Sequence, residues 1–193
     1  MITRRQAILI IVITLFIVFT GYFTIKYKHN RAINNKNKNL NDLRELIADI
    51  AEVIIPATNS PGAKEARVAD YILNVLENCI EIKNFNIILN GLEDLKEYSL
   101  KTYSTSFEKC TLKNKIAVLE HFEKNKLFKN LLLSKIQRKI FGQSFFEQMK
   151  WLTVSGYCQS KIGATQALAY DHIPIDYVSC IPYFPNQKSW ATK

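Results

Sequence analysis

The sequence predicts an all-α protein: a compact bundle of five to six short helices preceded by a single N-terminal transmembrane helix. Three observations carry that expectation. Proline occurs at 56 and 61 and then not again until 174, so nothing forbids helix for over a hundred residues. Apolar residues recur at helical spacing through the same stretch. Near the amino terminus, QAILIIVITLFIVFTGYFTI runs twenty positions without a charge, about the length of helix that crosses a 30 Å hydrocarbon core.

Charge fixes the organisation. The 193 residues carry a formal charge of +9, yet residues 1–40 hold Arg4, Arg5, Lys26, Lys28, Arg31, Lys36 and Lys38 with no acid, and so account for +7 of it. From Asn41 onward 19 basic side chains face 17 acidic ones. The folded part therefore lacks the basic field that a phosphate backbone requires, and nucleic acid is excluded as a partner. Residues 1–25 read as an export signal or uncleaved membrane anchor, with residues 6–25 in the bilayer. Residues 26–41, rich in Asn and Lys, read as a solvated tether, and residues 42–193 as the helical domain.

Thr3-Arg4-Arg5-Gln6 resembles the start of a twin-arginine export signal, although Ala7, Ile8 and Leu9 depart from its usual continuation. No small-x-small site follows the apolar run, which favours an uncleaved anchor. Basic residues after the span argue for a cytoplasmic domain by the positive-inside rule, whereas the arginine pair argues for export. The expected location is the inner membrane with the domain in the periplasm.

Within the domain, Leu43, Ile47, Ile50 and Ile54 form one stripe that ends at Pro56, with Asn41 as its cap. Val68, Ile72, Val75 and Cys79 form a second, and Phe85, Ile88, Leu92 and Leu95 a third. Leu112, Ile116, Leu119 and Phe122 make a fourth, Leu133, Ile136 and Ile140 a fifth, and Phe145, Met149 and Leu152 a sixth. Strand-like alternation is confined to Tyr103–Phe107 and the tail. PATNSPGAK, residues 56–64, is the clear internal loop. The tail from Asp171 to Lys193 holds Pro174, Pro182 and Pro185 among Tyr177, Tyr183, Phe184 and Trp190, and is expected to extend over its own domain or across a partner.

No catalytic constellation is legible. His29 lies in the tether, His121 lies beside Glu120 and Glu123 on a charged helix face, and Asp171-His172 is a pair without a nucleophile. A weak enzymatic reading through that pair is the only one the spacing allows. Glycines are scattered, with no dinucleotide-binding order, and neither zinc nor haem spacing occurs. The four cysteines, Cys79, Cys110, Cys158 and Cys180, are even in number and widely spaced. In an exported domain they form two disulfides in any of three connectivities; in the cytoplasm they are buried apolar residues. The export reading favours oxidation.

Three stretches then stand together: Ile54-Ile55-Pro56-Ala57-Thr58 with Ser60-Pro61-Gly62-Ala63, Leu152-Thr153-Val154-Ser155-Gly156-Tyr157, and Ser160 to Tyr170, SKIGATQALAY. With Ile173-Pro174 and Cys180-Ile181-Pro182 they resemble the gluconate 2-dehydrogenase subunit 3 family, the small subunit of membrane-associated flavin-dependent sugar and polyol dehydrogenases. The resemblance covers roughly residues 43–190, and residues 81–140 match only in helical pattern. It implies a chain without a cofactor or catalytic residues of its own. FAD and the catalytic histidine sit in a large subunit of the glucose-methanol-choline type, and a cytochrome c subunit often takes the electrons. The small subunit binds, stabilises and helps export or anchor that flavoprotein, and Arg4 and Arg5 suit an export signal for it. The resemblance also implies a partner contact around Gly156, Tyr157, Gly163, Gln166 and Tyr170, and a bond from Cys180 to the large subunit. The rival reading is a stand-alone anchored scaffold or binding module with the same fold.

Overall fold

In a computed structural model of the chain, the described residues are 5, 12–17, 19–21, 40–124, 143–173, 180 and 182–191. The chain divides into two compact units, residues 1–38 and 39–193. In the first, residues 12–17 and 19–21 are helical. Val12, Ile13, Leu15, Phe16, Ile17 and Phe19 are all exposed, and the Thr20 hydroxyl donates back to the Phe16 carbonyl at 2.9 Å. Among the described residues no helix is long and apolar enough to cross a membrane. Residues 6–11, 18 and 22–25 of the expected span, and residues 26–39 of the tether with His29, lie outside the described residues.

The second unit is helical. It comprises α1 (Arg44–Ile54), α2 (Val68–Asn78), α3 (Ile82–Tyr103), α4 (Leu112–Lys124) and α5 (Phe145–Gln159). A 3-10 turn, Leu40–Leu43, leads into α1, so Asn41 sits inside that turn and not at the cap, which is Leu43. The third helix ends where Ser104 turns to φ 54°, and a short 3-10 turn, Phe107–Lys109, follows. That turn replaces the alternation expected around Tyr103–Phe107. The expected fifth stripe, Leu133, Ile136 and Ile140, lies outside the described residues.

Helix α5 contacts all four of the others. Its start is fixed by a reciprocal cap: the Glu147 N–H donates to Ser144 Oγ at 3.3 Å, and the Ser144 N–H donates to the Glu147 carboxylate at 3.4 Å. Phe145, Met149, Leu152 and Tyr157 then enter a core shared with Leu46, Ile47 and Ile50 of α1, Val68 and Ile72 of α2, and Ile88, Leu92 and Leu95 of α3. The stripes predicted on α1, α2 and α3 face this core, with two corrections. Cys79 is exposed, because α2 ends at Asn78 and its apolar face turns through Leu73 and Leu76 instead. On α4, Leu112 and Ile116 are exposed while Val118 and Leu119 are buried and Phe122 packs against the core: the apolar contacts of α4 come from its C-terminal half.

The expected disulfides are also corrected. All four cysteines are free thiols. They lie on four different elements, the end of α2, the end of the 3-10 turn, α5 and the tail, and none is bonded to another. Cys110 is buried with its Sγ 3.4 Å from the Thr105 hydroxyl, while Cys79 and Cys180 face solvent.

Where α3 crosses α5, Gly91 leaves the space that the Phe145 side chain fills. A Cβ on residue 91 would stand 2.7 Å from Phe145 Cβ, and that atom cannot swing away because its helix is fixed. Gly91→Ala gains up to about 1 kcal/mol of helix propensity against about 1–3 kcal/mol of overpacking. The variant is expected to be less stable by urea titration, with an unchanged m-value.

Candidate functional site

The loop between α1 and α2 is the most constrained feature of the domain. Glu52, in the last turn of α1, turns its carboxylate into the loop and accepts from the Ala57 N–H at 3.2 Å and the Lys64 N–H at 2.8 Å. Two backbone donors that a turn-rich segment would otherwise leave to water are thereby satisfied by one anion. The carboxylate occupies the space beside Gly62, where a Cβ would meet both of its oxygens and the Ala57 nitrogen at 2.7 Å. Residue 62 is glycine because the anion is there.

The far side of the loop is held by charge. Asp49, buried at 5% exposure, pairs with Lys64 from the loop and with Lys115 of α4 at 2.7 Å, and Lys115 also lies over the Phe107 ring. Breaking such a buried arrangement costs more than its formation contributes, because the stranded carboxylate has no water. Asp70 at the start of α2 takes Arg44 at 2.5 Å and Arg67 at 2.8 Å; this pair of contacts is solvent-screened.

The end of α5 closes over this loop. The Tyr157 hydroxyl donates to the Pro61 carbonyl at 2.6 Å. One residue earlier, Gly156 lets α2 approach so closely that a Cβ would lie 2.6 Å from the Tyr71 ring. Ser160 then caps the helix: its hydroxyl donates to the Tyr157 carbonyl at 2.7 Å and accepts from the Gly163 N–H at 2.9 Å. A single π-turn, Gly163–Ala167, follows; Gly163 has no room for a side chain, because the Tyr157 carbonyl stands against it.

The three motif stretches are thus brought to one corner. Of the five expected contact residues, Gly156, Tyr157 and Gly163 are buried inside it, whereas Gln166 and Tyr170 face solvent. The Tyr170 hydroxyl lies 3.2 Å from His172 Nδ1, so His172 meets a tyrosine. His121 is exposed and stacks on Tyr98 with ring centroids 4.2 Å apart. No group of three or more metal-ligating side chains occurs among the described residues. Beside the acid Glu120, 2.7 Å away, the exposed Lys124 ammonium is held above the ordinary lysine range, mainly by that hydrogen bond.

What sequence reasoning missed is the outer face of α5. Trp151 is 61% exposed and Val154 42%, three residues apart on the side opposite Met149 and Leu152. Beside Trp151 runs a groove of about 540 Å³ walled by Tyr71, Val75, Ile80 and Leu152. Its rim carries the amides of Asn74, Asn84 and Gln148, of which the Gln148 amide donates to the Gln143 carbonyl at 3.0 Å. The sequence signal was the composition of α5, which is apolar on both sides.

The described residues 40–173 thus form an all-helical domain with a clamped loop, a motif corner and an apolar groove beside Trp151. The chain belongs to the gluconate 2-dehydrogenase subunit 3 family, whose sequence model matches residues 41–175. No curated protein and no solved structure matches it.

The clamp predicts a graded response. Tyr157→Phe removes one hydrogen bond and is expected to cost about 1 kcal/mol in chemical denaturation. Gly62→Ala displaces the Glu52 carboxylate from two donors and is expected to cost more, with faster proteolytic cleavage between residues 56 and 64. Equal losses in the two variants would show that Glu52 does not hold the loop.

Proposed function

We propose that this chain is the non-catalytic small subunit of a membrane-associated FAD-dependent dehydrogenase acting on gluconate, a sugar or an alcohol. It binds and stabilises the catalytic flavoprotein and helps to export or anchor it. Membership of the subunit 3 family supports a place in a dehydrogenase complex, and the uncovered groove beside Trp151 supplies a surface for a partner. That groove is the observation on which the reading rests. An exposed Trp over an apolar trough is the kind of anchor that dominates interface energy, and α5, fixed by contacts with every other helix, presents it without ordering cost.

Anchoring is assigned to residues 6–25. Supporting it, the sequence there has no charge, and the helical residues 12–17 and 19–21 expose their apolar side chains. The Thr20 hydroxyl satisfies itself on the Phe16 and Ile17 carbonyls, as a hydroxyl in lipid must. Arg4 and Arg5 before the span support export to the periplasm. A cytochrome c subunit is a further partner of the complex, and FAD resides in the large subunit.

Purification of the full chain from membranes under native conditions is expected to bring down a yellow, FAD-containing large chain at about one to one. Trp151→Ala is expected to weaken that association by about 2 kcal/mol, roughly 30-fold, with little change in the melting temperature. Repeated isolation without a flavoprotein would favour a stand-alone scaffold, and sugar oxidation by this chain alone would overturn the reading. A reporter active only outside the cytoplasm, fused after Lys193, is expected to be active; an inactive one would remove the export role and leave the complex.

A further inference from the structure

The tail does more than end the domain. Ala169 pairs with Trp190 in an isolated bridge, made by the Ala169 N–H donating to the Ser189 carbonyl and the Ala191 N–H to the Ala169 carbonyl, each at 2.8 Å. Lys188 Nζ donates to the Gln166 carbonyl at 2.5 Å. Immediately before these pinned residues the chain makes a tight turn. The Gln187 N–H donates to the Phe184 carbonyl at 3.1 Å, the Gln187 side chain accepts from the Phe184 N–H at 3.4 Å, and Asn186 takes φ 66°. The turn carries Tyr183 at 82% exposure and Phe184 at 61%, with Trp190 at its base at 49%.

The expectation of a tail lying over its own domain or across a partner is refined for the described residues: the tail is pinned to its own domain by backbone hydrogen bonds and by Lys188, while Tyr183 and Phe184 stay in solvent and Trp190 is half exposed. A hydrogen-bonded turn that holds large apolar rings outward has already lost the entropy that burial there would cost.

We propose that this turn is a second membrane contact, with Tyr183 and Phe184 entering the headgroup region of an anionic bilayer and Trp190 resting at its edge. The inference rests on the anchoring reading above. Its composition favours lipid over protein. Tyr, Phe and Trp stand with Lys188 and Lys193, and after Asp176 the chain has no acidic side chain. Tyr and Trp are the residues favoured at the membrane–water interface, and basic side chains near them are drawn to anionic headgroups. Covalent connection adds to this: once residues 6–25 are in the bilayer, the turn meets lipid as part of the same chain, an intramolecular encounter.

The chain has two tryptophans, Trp151 and Trp190, which makes the test direct. Full-length Trp151→Phe and Trp190→Phe chains are reconstituted in vesicles of phosphatidylglycerol and phosphatidylethanolamine whose acyl chains are brominated near the headgroup. Trp190 emission is expected to be quenched and Trp151 emission not. Replacing Tyr183 and Phe184 together by Ser is expected to cut the Trp190 quenching at least about threefold, with the melting temperature unchanged because both rings are exposed. Unquenched Trp190 in chains that still float with the vesicles overturns the membrane contact and leaves the anchor standing. Chains that fail to float overturn the anchor, and the present proposal with it. Trp190 that is unquenched by lipid but becomes shielded from an aqueous quencher when the flavoprotein is added overturns the proposal in favour of a protein contact.

Discussion

The corner depends on one carboxylate. Glu52 reaches from the last turn of α1 into the loop and satisfies the Ala57 and Lys64 N–H groups, and this fixes where α2 begins. Without it, a segment carrying two prolines and a glycine would take its hydrogen bonds from water and have no single path. With it, Pro61 presents its carbonyl to Tyr157 and Lys64 reaches Asp49. The first contact ties the end of α5 to the loop and the second ties the loop back to α1, while packing against the other described helices holds the rest of α5.

Much of this was legible, and what was not has physical reasons. Helices α1, α2 and α3 were readable because each has a stripe three and four residues apart and a stop, such as Pro56. The polar residues at the corner were not. Glu52 looks like an ordinary solvated acid until the loop folds over it, and its role is tertiary. Asp49 did leave a signal: it falls between Leu46 and Ile50 on the buried side of α1, where an acid implies a cationic partner. Ser144-Phe145-Phe146-Glu147 was likewise a readable capping box. The error on α4 came from treating periodicity as burial. Leu112 and Ile116 keep the spacing but stay exposed, whereas Val118 and Leu119 are buried and Phe122 packs on Tyr98 and Phe145.

The motif stretches illustrate a different limit. Their order in the sequence was recognisable, yet order says nothing about whether a residue faces inward or outward. Gly156, Tyr157 and Gly163 are taken up by close packing and a helix cap, so their chemistry is structural: glycine where backbone must approach, a hydroxyl where one carbonyl needs a donor. A motif can identify a fold because the fold needs it, while the surface that a partner reads lies beside it.

That distinction bears on α5. A helix at the centre of a small bundle contacts neighbours on most sides and is expected to keep only a narrow polar strip for solvent. Here the outward strip holds Trp151 and Val154 instead, beside an apolar trough. Burying a Trp side chain of this exposure removes enough apolar area to stabilise an interface by a few kcal/mol at about 25 cal/mol per Å², whereas leaving it in water gives the isolated domain nothing. The same reasoning applies to Tyr183 and Phe184, with one difference that separates their occupants. Trp151 borders a concave trough rimmed with amides, which suits a shaped, hydrogen-bonding protein surface. The tail rings stand on an exposed turn beside Lys188, and an open aromatic turn needs no complementary partner shape when the medium that receives it is lipid.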